Sequence, residues 1–180
     1  MKNQIKSIKN YNFSNSDRLC LDTNVWIYVF CPQKPNAPLV EVYSQAFRSI
    51  LEKKGHIYIN SLITSEFINR SAKFQFDLQK TNGIKSFKAF RESPVFKPIA
   101  LNIAADLKRI LGLSSRLECN FKELDINTLI NEYGKGSYDF NDQMITELCK
   151  HNGLTLITHD IDFYNHDIPI ITANPRLINA

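Results

Sequence analysis

The sequence predicts an α/β fold: a parallel sheet sandwiched by helices, with a helical insertion in the middle of the chain. Short apolar runs at LCLD (19–22), HIYIN (56–60), LTLIT (154–158) and IPIIT (168–172) read as strands. Segments with helical spacing of apolar residues lie between them. Strands separated by helices argue for parallel neighbours, because parallel strands need crossover connections. At 180 residues and 43% apolar composition the chain can bury one good core and is short for two independent domains. The expectation is a flexible N-terminal tail over 1–17 and a single domain over 18–180 that includes the insertion, about 70–135.

Taken in order, the tail to Asp17 is polar and rich in Asn and Lys. LCLD ends in an acid and runs into TNVWIYVF, a short helix, then a loop containing Pro32, Pro35 and Pro38, then a helical pattern over 39–54. Gly55 stops that helix, HIYIN forms the second strand, and a helix starts near Ser61 to Thr64. Helical spacing returns over 84–92 and 98–113, with breaks near Pro94, Pro98 and Gly112, and more weakly over 125–133, so the middle region reads as all-helical. DFNDQMITELCKHNG (139–153) places Phe140, Met144, Ile145, Leu148 and Cys149 on one face and stops at Gly153. LTLIT and IPIIT complete the sheet, with Pro169 marking an edge or an early strand position.

No run of about 18 apolar residues occurs and the first seventeen residues lack a secretory apolar stretch, so a soluble, cytoplasmic protein is expected. Cys20, Cys31, Cys119 and Cys149 form no CxxC pair and sit in mostly hydrophobic surroundings, which predicts buried thiols rather than a disulfide framework or a zinc site. The net charge of +4 is unevenly spread. Residues 1–69 carry 8 basic and 5 acidic side chains, 70–122 carry 11 and 4, and 123–180 carry 3 and 9. A basic segment beside a carboxylate-rich one suits a protein that holds a phosphate backbone and a metal; a solvated helical face is the plainer reading.

In parallel α/β sheets ligands collect at the carboxyl ends of the strands. Asp22 closes the first strand and Asp160 lies two residues past LTLIT, on the same rim. Glu66 and Asp142 lie near the starts of helices beside it. Singly, each acid has a structural reading: Asp22 as a turn-former or N-cap, Glu66 as the partner of Arg70 in an ordinary i,i+4 pair, Asp139 and Asp142 as acids at a helix start, and Asp160 with Asp162 as a turn before Phe163. Asp142 falls about 20° beyond Cys149 at the edge of the apolar stripe and Asp139 about 60° further out. Asp142 is therefore the better functional candidate and Asp139 the better cap. Four clustered carboxylates repel and raise one another's pKa, which calls for a bound cation or proton. Oxygen-only ligands favour Mg²⁺ or Mn²⁺ over zinc. His159 adjoins Asp160 but is expected to point away or be exposed, and His56, His151 and His166 give no catalytic pattern.

Four patches resemble the PIN-domain family, the fold of many bacterial toxin ribonucleases and eukaryotic RNA-processing endonucleases. LCLDTNVWI resembles the opening strand with its DTN signature, INSLITSEFINR the second strand and helix, and NDQMITELCKHNGLTLITHDIDF the closing motif with its T-x-D pattern. The resemblance implies Asp22, Glu66, Asp142 and Asp160 as catalytic acids, all four as metal ligands, and Asp162 sharing the fourth role. It also implies Asn24, Thr158 and Asp139 in support. The implied activity is metal-dependent hydrolysis of RNA, with Mg²⁺ or Mn²⁺ held by the acids and Glu66 binding a second ion or positioning water. Arg70, Lys73, Lys85, Lys88 and Arg91 would guide the RNA backbone, while Phe74, Phe76, Phe87 and Phe90 read as core. PIN toxins act with an antitoxin and often as homodimers, so the resemblance implies both partners as candidates, without a membrane. The alternatives are a structure-specific DNA nuclease and a catalytically inactive RNA- or partner-binding module. A phosphotransfer protein using Asp22 as nucleophile is disfavoured because Asn24 stands where the second Asp of such a site belongs.

Overall fold

Leu19, Cys20 and Leu21 are all fully buried, although consecutive strand residues face opposite sides of a sheet. Both faces at this strand are therefore covered, as in the centre of a parallel sheet packed between helices. In the computed structural model, which describes residues 4–31, 37–79, 83–119, 121–136 and 138–179, these residues form β2 (Arg18–Leu21). It is followed by α1 (Thr23–Phe30), α2 (Ala37–Glu52), β3 (His56–Ile59) and α3 (Ser61–Gln79). The middle of the chain supplies α4 (Phe87–Glu92), α5 (Phe96–Gly112), β4 (Ser115–Arg116) and α6 (Ile126–Gly134), and α7 (Phe140–Asn152), β5 (Thr155–Ile157), β6 (Ile170–Thr172) and α8 (Pro175–Ile178) close it. With β1 (Ile5–Ser7) the strands form one sheet in the order β1-β6-β5-β2-β3-β4, and every pairing is parallel.

This order positions the site. From β2 the chain moves outward through β3 to β4, then returns to the other side of β2 for β5 and β6. The carboxyl ends of β2 and β5 therefore flank the point where the winding reverses, the crevice in which such sheets bind ligands. Leu21 pairs with Ile157, so Asp22 and Thr158 emerge side by side. The core on which these strands rest joins Trp26, Phe47 and Ile50 of α1 and α2, Ile63 and Phe67 of α3, and Ile145, Leu148 and Cys149 of α7.

Three expectations need correction, and one that left two places open is decided. Part of the segment read as a flexible tail is built into the fold: β1 pairs with β6, and Ile8 and Phe13 are buried. Three residues, IKS, are too few to show a strand period against a polar background. The middle region is not all-helical, because Ser115–Arg116 pairs with β3; both residues are exposed, so no apolar pattern marks them. Pro169 takes the second of the two places open to it, an edge or an early strand position. It precedes β6, whose outer side β1 covers, and its carbonyl accepts from the Leu156 N–H at 2.9 Å. Pro98 lies inside α5 rather than at a break, since the helix starts at Phe96 and a first-turn N–H has no helical partner to lose.

Phe76 and Phe90 are buried, in line with their reading as core, and Phe74 and Phe87 are half-buried. All four thiols are free, with Cys20 and Cys149 buried but Cys31 and Cys119 only partly so. Pro32 and Pro35 lie outside the described residues. Among the described residues no helix is long and apolar enough to cross a membrane.

Gly153 ends α7 in the left-handed region (φ 60°), and the Leu154 N–H bonds the Cys149 carbonyl at 2.9 Å, so the chain turns directly into β5. Gly153→Ala is expected to cost about 1 kcal/mol, the penalty for an L side chain in that region. Urea unfolding checks this; an unchanged midpoint would mean the turn relaxes at no cost.

Candidate functional site

Asp22 is the best-held acid of the chain, 5% exposed at the end of β2. Its Oδ1 accepts from the Thr23 N–H at 2.6 Å, which makes it the N-cap of α1. Its Oδ2 accepts from Asn24 Nδ2 at 2.5 Å and from the Thr158 hydroxyl at 2.6 Å. Three donors favour the charged carboxylate, yet burial outweighs them, and with the charges of Glu66 and Asp160 it lifts the Asp22 pKa to about 6.

The Thr158 hydroxyl joins this acid to the next. It donates to Asp22 and accepts from the Asp160 N–H at 3.0 Å. Asn24 likewise spans the two strand ends, with Nδ2 on Asp22 and Oδ1 accepting from the His159 N–H at 3.2 Å. Asp160 is half-buried and caps the 3₁₀ turn Ile161–Asn165 by accepting from the Asp162 N–H at 3.1 Å. Asp162 is exposed. Asp160 is thus the acid tied to the Asp22 cluster, and Asp162 stands behind it.

Asp142 lies in the first turn of α7, half-buried. Burial, reinforced by the charges of Asp22, Asp139, Asp160 and Asp162, raises its pKa to about 8. Asp139 is exposed and caps α7 through the Asn141 N–H at 2.8 Å, the role its position suggests. Glu66 meets the cluster through Thr23, whose hydroxyl donates to Oε2 at 3.0 Å. Its Oε1 pairs with Arg70 at 3.1 Å, the plain i,i+4 contact, on a guanidinium about half exposed.

The four acids thus share one rim and act on one another's charge. As placed, among the described residues, no three acid, histidine or cysteine side chains stand close enough to hold a single ion. Carboxylates without a counter-charge repel, so the set favours a bound cation or proton over four free charges. The donors are all oxygen, as a hard divalent cation prefers.

The basic residues are placed less tightly. Lys73 lies over the rings of Phe76 and Phe87, at 4.7 and 5.8 Å from their centroids, and 3.9 Å from Asp77. Lys85, Lys88 and Arg91 are exposed on and beside α4, which packs against α3 and α5.

Several residues near the acids carry no sequence signal. Tyr28, five positions beyond Thr23, stacks on Tyr43 at 5.4 Å and 7°, and its phenol feels the charges of Arg70, Asp160 and Asp22. Tyr43 is 1% exposed and reads as one more apolar position of an amphipathic helix. His159 is not free at the surface, as its position suggests, but half-buried edge-on against both tyrosines, and burial lowers its pKa.

The PIN domain family model matches residues 19–169. Among solved structures the fold is similar to VapBC2 from Rickettsia felis, crystallised bound to a DNA fragment from their promoter. That likeness has a TM-score of 0.57 and 16% identity, and covers 86% of this chain and 97% of that one. It is also similar to PAE2754 from Pyrobaculum aerophilum, with a TM-score of 0.50 and 13% identity over 91% and 94% of the two chains. At these identities the likeness is one of fold. The search of curated proteins returns no match.

Proposed function

Because the chain belongs to the PIN-domain family, whose members are nucleases, we propose that it is a metal-dependent endoribonuclease and the toxin of a toxin–antitoxin pair. One observation carries the metal-dependent reading. Asp22, Asp142, Asp160 and Glu66 lie on one rim of the sheet, past the ends of β2 and β5 and near the starts of α7 and α3, and burial and the charges of neighbouring acids hold Asp142 and Asp22 well above the ordinary carboxylate range. Such a set is costly unless a cation neutralises it.

In this reading Asp22, Asp142 and Asp160 hold Mg²⁺ or Mn²⁺, which supplies charge neutralisation at the phosphate and a more acidic bound water. The protein's own part is orientation. Thr23, Asn24 and Thr158 fix the Asp22 carboxylate with three hydrogen bonds, as outer groups fix metal-binding carboxylates. Thr23 and Arg70 hold Glu66, which positions water or a second ion. Arg70, Lys73, Lys85, Lys88 and Arg91 attract the RNA backbone. Residues 18–180, with β1 (Ile5–Ser7) completing the sheet, act as a single cytoplasmic domain, as a homodimer and under an antitoxin. The fold's likeness to VapBC2, captured on a fragment of their promoter, supports that last element.

The test is cleavage of structured RNA, single-stranded RNA and matched DNA with Mg²⁺, Mn²⁺ or EDTA. RNA cleavage that needs the metal is expected. Cleavage that survives EDTA would remove the metal from the mechanism, and cleavage of DNA alone would make the structure-specific DNA nuclease the correct reading.

A further inference from the structure

We propose that Tyr43 is a positioning residue of the site, its hydroxyl fixing the turn that carries Asp160. The inference rests on the metal-dependent reading above and concerns a residue of α2, an element that carries none of the four acids.

β5 ends at Ile157; past it the Thr158 N–H still bonds the Ile171 carbonyl of β6 at 3.2 Å, and strand pairing then stops, leaving the main chain of residues 159 and 160 without a ladder. Side chains hold it instead. The Tyr43 hydroxyl lies 3.1 Å from the Thr158 carbonyl and 3.1 Å from His159 Nδ1, and accepts from the Ala173 N–H at 3.1 Å. It therefore ties the turn after β5 to the end of β6. The His159 peptide is gripped on both sides: its N–H donates to Asn24 at 3.2 Å, and its carbonyl accepts from Asn174 Nδ2 at 2.7 Å. Asp160 follows directly, with its own N–H on Thr158.

Packing does not account for the phenol. Tyr43 is 1% exposed in the core, where its ring stacks on Tyr28 and a phenylalanine ring would do the same. A buried hydroxyl is unfavourable unless it is bonded, and this one is bonded to the turn that bears an acid and to the Ala173 N–H just past β6. Asn174 shows the same economy. It is 8% exposed; its Oδ1 caps α8 and its amide is left to hold His159. A carboxylate ligand must be placed closely to bind its ion, and loss of an orienting partner costs roughly 10–100-fold in metal affinity or activity.

The experiment is calorimetric titration of Mn²⁺ into the full chain without nucleic acid, for wild type, Tyr43→Phe and Ile50→Val, with kcat and KM on RNA beside it. Ile50 is a buried core residue of the same helix, and its truncation by one methylene lowers stability without touching the turn. Tyr43→Phe is expected to bind Mn²⁺ about 10–100-fold more weakly and to lose kcat with KM for RNA unchanged, while Ile50→Val binds as wild type. Mn²⁺ affinity within twofold of wild type in Tyr43→Phe, or an equal loss in Ile50→Val, overturns the proposal. Should Tyr43→Phe not fold, Asn174→Ser keeps a cap for α8, removes the amide from His159, and carries the same expectations. Wild type without saturable Mn²⁺ binding, or Asp22→Asn binding as tightly as wild type, overturns the metal-dependent reading and this proposal with it.

Discussion

Asp22→Asn is expected to abolish metal-dependent cleavage, with turnover falling on the order of 10²–10³-fold or more, while the protein remains folded. The substitution separates the two things Asp22 does. As the N-cap of α1 it accepts from the Thr23 N–H, and asparagine caps as well as aspartate. If capping were its whole role, activity would survive. The charge is a different matter. Asp22 is buried with a pKa lifted to about 6, so ionisation at neutral pH is opposed by its surroundings, and removing the charge relieves that opposition. The new amide faces Asn24 and the Thr158 hydroxyl, of which only the hydroxyl can reverse to accept. One donor then meets another, a local cost that the relief of charge offsets. Thermal unfolding and cleavage measured on the same preparation give the answer: a wild-type melting temperature with lost turnover supports a role in the chemistry, and retained turnover reduces Asp22 to a cap.

The acids were legible in the sequence because each sits where a strand or helix boundary announces itself. LCLD opens on three consecutive apolar residues, which marks a strand buried on both faces, LTLIT is a short run of Leu, Ile and Thr that follows the glycine stop of a helix, and their ends place Asp22 and Asp160. Gly153 marks the end of α7, and counting back along its apolar face separates Asp142 from Asp139. What was not legible is what reaches the site through space. Tyr43 belongs to a helix whose apolar period accounts for it fully, so its hydroxyl carries no signal of its own. Asn174 stands in none of the sequence motifs; it caps α8, and its second bond is invisible from that role. β1 and β4 are missed for a related reason. Strands of three and two residues depend on the neighbour they complete, here β6 and β3, and local sequence holds no image of a neighbour. The structural readings of single acids also hold alongside the cluster: Asp22, Asp139 and Asp160 all cap, and Glu66 does pair with Arg70. Capping consumes one carboxylate edge and leaves the rest of the group available.

Asp142 gives the second large effect, expressed in stability rather than turnover. Its pKa is about 8 in the fold, raised first by burial and then by the surrounding aspartates, against an ordinary value of 3.8. Between those values the folded protein binds a proton that the unfolded chain has released, so this group makes stability fall as pH rises from about 4 to about 8, and adds no slope beyond. The metal-free protein should therefore melt lower at pH 8 than at pH 5. Asp142→Asn removes the slope and is expected to raise the melting temperature at neutral pH by roughly 2–4 °C, which for a chain of this size corresponds to about 1 kcal/mol once solvent screening of a half-buried group is allowed for. A cation should act in the opposite sense to pH. Mn²⁺ must displace the proton, so its binding tightens as pH rises, and at 100 times its dissociation constant it stabilises the wild type by about 2.7 kcal/mol. The gain should be largest at pH 8 and largely absent in Asp142→Asn. Thermal melts at pH 5 and pH 8, with and without Mn²⁺, decide it. A wild type whose melting temperature rises with pH, or a variant that Mn²⁺ stabilises as fully as wild type, would place Asp142 outside the cation site and leave its buried charge to be balanced by some other group.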